Sequence, residues 1–197
     1  MSAKRQTGLS NHEIVTLAVY VLGGDSERID TEDVAKKANE LAPGRFTWRK
    51  YPDQVNIENV RTFLSDAKKS KNGGYLMGAG KDGWILTQAG LAFAKGHLMH
   101  LGVADLSRKA MSPRQRNWMR HERGRMLASD AFQKFADGAS EAISQQEAEA
   151  FFRLDAYVTG DARQEKILRA KNLFGDDPEI GPLVSLLETL LSKGVHA

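Results

Sequence analysis

Histidines, carboxylates and cations are the side chains here whose types and spacing could do chemistry. His97 and His100, in "HLMH", stand three residues apart with Asp105 close behind, a spacing that a helix would turn into two metal ligands on one face. Two histidines at a helix C-terminus also complement its dipole, and on that ground no metal is expected. A nuclease would need clustered carboxylates around a metal, with a lysine or histidine beside it. The "GDD" at 175–177 reads instead as a helix stop followed by the next cap, and "DARQEK" at 161–166 as a charged helical face. "GAGKDG" at 78–83 has neither the GxxxxGK[ST] spacing nor the strand-to-helix setting of a phosphate-cradling loop. Without cysteine there are no disulfides, no thiolate zinc site and no thiol nucleophile. The serines and histidines form no triad that sequence supports. The expectation is a protein with no enzymatic activity, no cofactor and no metal.

Cations remain. Arg45, Arg49 and Lys50 are interleaved with Phe46, Trp48 and Tyr51; Lys68, Lys69 and Lys71 follow; Lys81 sits between two glycines. Cations so grouped would contact phosphates of double-stranded DNA, with an affinity that falls as salt rises. The bland counterpart is that Phe46 and Trp48 plug the core while the lysines complement a helix dipole. The net charge of +3 is unevenly distributed. Residues 108–125 hold seven basic residues and one acid, Glu122, whereas residues 126–197 hold seven basic and twelve acidic residues. The basic segment therefore has two candidate partners, an external polyanion and the acidic remainder of the chain, and pairing within the chain is the nearer of the two.

The elements that must position these groups are mostly helical. Ile14, Leu17, Ala18, Val21 and Leu22 recur at helical spacing behind a Ser10–Glu13 capping box, predicting a helix with one buried face that stops at Gly23 and Gly24. "DTED" at 30–33 opens a second helix that ends at Pro43 and Gly44. The run 56–71 places Ile57, Val60, Phe63, Leu64 and Ala67 on one side of a third, whose outward face carries Glu58, Asn59, Thr62, Ser65, Asp66 and Lys69. "YLMGA" and "WILT" around "GKDG" form a hairpin, and Thr87 caps a fourth helix.

Three helices followed by a hairpin is the winged-helix order. The segment "GWILTQAG", with Leu86, Thr87 and Gly90, resembles the end of the wing in winged helix-turn-helix proteins such as the MarR-like and PadR-like regulators. The resemblance covers residues 10–98, about half the chain. It implies that the third helix enters a major groove, with Asn59 and Thr62 near base edges and Arg45, Arg49, Lys50, Lys68, Lys69, Lys71 and Lys81 on phosphates. "TEDVA", "LAPGRFTWRKYPDQVN" and "GWILTQAG" together look like uncharacterised bacterial proteins encoded near restriction or phage-defence genes.

The second half reads as helical throughout. A long helix from Ser112 and Pro113 to about Ala136 would carry Arg116, Arg120 and Arg123 at i, i+4 and i+7, a stripe able to follow a phosphate backbone or meet an acidic surface. Ser144 and Glu147 open a helix burying Phe151, Phe152 and Tyr157; another spans 161–174. In the last, Asp177 caps, Pro178 occupies the first turn, and Ile180, Leu183, Val184, Leu187, Leu190 and Leu191 form a stripe for a bundle core or a dimer contact. The expected fold is mainly α, with a winged helix over 1–98, a linker over 99–112 and a helical bundle over 113–197. The expected protein is cytoplasmic, for want of a signal peptide or membrane span. It is expected to be a homodimeric DNA-binding regulator or accessory factor, or else an adaptor, favoured by the outward acids Glu58 and Asp66, that uses the winged helix as a scaffold and docks a larger protein partner through the Arg116, Arg120, Arg123 stripe and the last helix.

Overall fold

Polar caps set the helix starts. In α1 (Asn11–Val21) the Ser10 backbone N–H donates to the Glu13 carboxylate at 2.7 Å. Every residue from Ile14 to Val21 is buried, so α1 is enclosed nearly all round and not only on the face its spacing predicts. α2 (Thr31–Leu41) begins at Asp30, which accepts from the Glu32 N–H at 2.7 Å, and α3 (Ile57–Lys68) at Asn56, which accepts from the Asn59 N–H at 3.1 Å. Both pack on α1, α2 through Val34, Ala35 and Ala38 and α3 through Val60, Leu64 and Ala67. The third helix stops at Lys68, short of the predicted Lys71. Lys69 turns extended, Asn72 donates its side-chain amide to the Asp66 carbonyl at 3.0 Å, and a 3₁₀ turn covers Ser70–Asn72.

The computed structural model describes residues 8–100 and 113–193, and the chain divides into two compact units, Met1–Ala110 and Met111–Ala197. It is mainly helical with one small antiparallel sheet among the described residues. In that sheet β1 (Leu76–Ala79) pairs with β2 (Gly83–Leu86), Leu76 opposite Leu86 and Ala79 opposite Gly83. Gly83 supplies the positive φ of 78° that closes the turn. On its other edge β2 meets Ile29, in the link between α1 and α2: Ile29 N–H donates to Trp84 O at 2.8 Å and Trp84 N–H to Ile29 O at 2.9 Å. The Trp84 indole N–H donates to Thr31 Oγ1 at 3.0 Å, and Leu86 N–H to Gly24 O at 2.7 Å.

Thr87 joins the sheet to α4 (Gln88–His100). Its N–H donates to Tyr75 O at 3.0 Å, its hydroxyl to Gly74 O at 2.7 Å, and its Oγ1 accepts from Gly90 N–H at 3.1 Å. Gly90 then passes so close to the sheet that a Cβ there would lie 2.1 Å from the Tyr75 carbonyl oxygen. The Leu-Thr-x-x-Gly segment thus has a local physical reason: threonine caps, and glycine leaves room for the strand. Linker positions 101–112 lie outside the described residues.

The second unit contains α5 (Pro113–Leu127), α6 (Asp130–Ala136), α7 (Gln145–Phe151), α8 (Gly160–Phe174) and α9 (Gly181–Lys193). The single helix expected to reach Ala136 is broken in two. Ser129 donates its hydroxyl to Met126 O at 2.7 Å and accepts from Phe132 N–H at 3.2 Å, ending one helix and capping the next. The core of this unit is Met126, Phe151, Phe152, Phe174 and the apolar stripe of Ile180, just before α9, with Leu183, Val184, Leu187 and Leu191 on it, all buried within their own unit. Asp177 accepts from Glu179 and Ile180 N–H at 3.0 and 3.1 Å, but this caps a turn containing Pro178, and α9 starts only at Gly181. Tyr157, expected inside, is 95% exposed. No helix among the described residues is long and apolar enough to cross a membrane.

Glu122 is a buried charge in this unit. It accepts from Arg125 Nη2 at 2.7 Å and Arg153 Nη2 at 2.6 Å, and Arg153 holds a left-handed φ of 55° just after α7. Burial pushes the Glu122 carboxyl up, but the two arginines prevail and hold it below the ordinary value. The stabilisation is therefore present above the usual carboxylate range and lost as pH falls through the lowered value.

The Gly90 contact yields a paired expectation. Gly90→Ala should cost about 1–3 kcal/mol through overpacking against backbone, whereas Gly96→Ala, also in α4 with nothing near its would-be Cβ, should stabilise by about 0.5–1 kcal/mol. Urea melts of the two variants check the sign of each.

Candidate nucleic-acid interface

The segment leading into α3 folds into a small projection. Thr47 bridges Val55, Trp48 N–H donates to Gln54 O at 3.1 Å, and Asn56 N–H donates to Phe46 O at 2.7 Å. Phe46 is fully buried and edge-on to Phe63 at 6.1 Å between centroids, whereas Trp48, two residues further along the projection, is 46% exposed. Core filling thus holds for Phe46 and fails for Trp48. Tyr51 is 49% exposed, with Lys50 Nζ 5.7 Å from its ring centroid, and Arg49 is exposed beside them. Arg45 has a structural task, donating from Nη1 to Leu9 O at 2.8 Å.

On α3 the exposed positions are Glu58, Arg61, Thr62, Ser65 and Lys68, with Lys69 just beyond its end, while Asn59 is half-buried on the flank. Both acids of the predicted outward face are neutralised locally: Glu58 pairs with Arg61, and Asp66 with Lys69 at 2.7 Å. The Lys69 hydrogen bond holds the Asp66 carboxyl below its ordinary value. Thr62 folds its hydroxyl back to Glu58 O at 3.0 Å. Lys68 Nζ reaches across to Gly78 O at 3.2 Å, tying the end of α3 to β1. Lys71 is exposed in the 3₁₀ turn, and Lys81 is exposed at the hairpin tip beside Asp82.

Sequence reasoning missed Arg61 and the exposure of Trp48. A 100° projection sets Arg61 close to Ile57, but Ile57 is only half-buried at the helix start, so the adjoining flank faces solvent. For Trp48 no local signal was available. Its two-residue spacing from Phe46 puts both side chains on one side of an extended segment, which favours burial of both, and only the fold shows how far along the projection the core extends.

The arginine stripe of α5 is not a row of free cations. Arg123 donates from Nε to Asp177 at 2.8 Å and pairs with Glu179 through Nη2, and Arg125 turns inward to Glu122 and to Phe151 O at 2.6 Å. Arg116 and Arg120 are exposed, Arg120 with a 3.4 Å hydrogen bond to Asn117. Pairing with the acidic remainder therefore claims Arg123.

Among the described residues no group of three or more histidines, aspartates or glutamates is placed to hold a metal. His97 packs against Phe93 with the rings tilted and their centroids 4.2 Å apart, and its Nδ1 lies 3.1 Å from the Phe93 carbonyl oxygen. The His100 side chain and Asp105, its expected companions, lie outside the described residues. No family model, curated protein or solved structure matches the chain.

Arg123→Ala should lower the unfolding midpoint of the second unit, because Asp177 and Glu179 lose their shared cation, and should leave duplex affinity unchanged. Thermal melts alongside a DNA titration check both halves of that expectation.

Proposed function

We propose that the first unit is a winged helix-turn-helix domain and that the protein binds double-stranded DNA, without enzymatic activity, as a bacterial transcriptional regulator or DNA-binding accessory factor. The observation that carries this reading is the placement of exposed cations at both ends of α3: Arg49 and Lys50 in the projection before it, and Lys69 and Lys71 where it closes, with Lys81 on the hairpin to which Lys68 is tied. At about 1.5 Å per residue, the 12 residues of α3 span about 18 Å. A major groove is about 12 Å wide, so cations flanking such a helix can reach phosphates on either side of the groove it enters.

The element order supports the same reading, since helix, Ile29 bridge, two helices and a hairpin is the order a winged helix has. On the outward face, Thr62, Ser65 and Arg61 are the side chains able to reach base edges, with Arg61 exchanging Glu58 for a guanine edge. Asn59, half-buried, is less well placed. A protein-docking role for α3 draws no support from Glu58 and Asp66, because each already has its cation nearby.

Replacing Arg49 and Lys50 together by glutamine should weaken binding similarly for all duplex sequences. It should also flatten the slope of log affinity against log salt by about 1.8, at about 0.9 for each phosphate no longer neutralised. Fluorescence anisotropy across several salt concentrations measures this, and a folded double variant with unchanged affinity and slope contradicts the assignment.

A further inference from the structure

A cleft of about 250 Å³ opens in the second unit between α5, α7 and α8. Its floor is apolar, built from Phe151, Phe152 and Phe174, and its rim is cationic, with Lys166 and Arg169 on α8. Apolar side chains at the bottom and cations at the mouth select a ligand with an apolar body and a negative end.

The charges around the cleft are not balanced. Glu122, the acid on its wall, is already engaged by Arg125 and Arg153. Among the described residues, Lys166 donates to a neutral acceptor, the Arg153 carbonyl, at 2.7 Å. Arg169 lies with its guanidinium carbon 5.7 Å from the Trp118 ring centroid, and its Nε has no hydrogen-bond partner among the described residues. Neither Lys166 nor Arg169 makes an ion pair with a described residue. An anion arriving here supplies the counter-charge that the resident groups do not, and a planar guanidinium favours a carboxylate over a spherical ion.

We propose that the second unit binds a small organic anion, an aromatic or alicyclic carboxylate, with its ring on the phenylalanine floor beside Trp118 and its carboxylate on Arg169 and Lys166. The volume falls below the roughly 300–1,000 Å³ of sites for drug-sized ligands, which limits the ligand to about one ring. The cleft lies wholly inside the second unit, so this binding stands or falls independently of duplex binding.

Titrating the full chain with benzoate, read by tryptophan fluorescence, tests it. The expected result is a saturable change that vanishes in Trp118→Phe and weakens at least fivefold in Arg169→Gln. Benzyl alcohol, which lacks the charge, and inorganic phosphate, which lacks the ring, should each bind at least tenfold more weakly. Should Arg169→Gln fail to fold, Lys166→Gln, altering a side chain nearer the rim, carries the same expectation. A response that never saturates, an unchanged affinity in a folded charge variant, or phosphate competing as well as benzoate overturns the proposal.

Discussion

The reciprocal backbone pair between Ile29 and Trp84 is the constraint on which the first unit depends. A two-stranded hairpin alone is marginal in water. Here β2 gains a second partner from the link between α1 and α2, and the Trp84 indole ties the same point to Thr31, the first residue of α2. The hairpin is thereby docked on the first two helices, while Lys68 fastens β1 to the end of the third and Thr87 joins the sheet to the fourth. Exposed groups on α3, on the projection before it and on the hairpin are held by one shared core, and a surface assembled from all three needs that shared support.

The uneven charge along the chain has a structural explanation in the second unit. Acidic residues after position 126 are drawn into local tasks: Asp177 and Glu179 bind Arg123, and Glu147 binds Lys134. Lys134, with the backbone and hydroxyl of Ser144, holds the Glu147 carboxyl down to about 2. The first unit pairs its outward acids along α3 but leaves Arg49, Lys50 and Lys71 at the surface. Internal pairing thus claims Arg123, Arg125, Lys134 and Arg153 in the second unit, and in the first unit it claims Arg61 and Lys69.

Much of the fold was legible because it is written in local signals. Ser10 with Glu13, Asp30, Ser144 with Glu147 and the Thr87–Gly90 segment mark helix starts by side-chain chemistry that acts within three residues. What stayed hidden is set by packing at longer range. The break at Ser129 interrupts a pattern that reads as continuous, because a serine is tolerated inside a helix and becomes a cap only once the chain turns. Trp48 and Tyr157 are large and apolar, so burial is the natural expectation, yet the first rides on a projecting loop and the second on the link before α8. Of the candidate site, the basic positions were readable from composition; the pairing of Glu58 with Arg61 and of Arg123 with Asp177 required the fold, the second joining residues 54 apart in the chain.

The most direct test of the central claim, that the cations around α3 and on the hairpin form one DNA-contacting surface, is lysine acetylation footprinting of the full chain, free and saturated with duplex DNA. Lys50, Lys69, Lys71 and Lys81 should be protected, while Lys36 on α2 and Lys134 in the second unit keep their free-state reactivity. Unchanged modification of the first four in the bound protein would contradict the account.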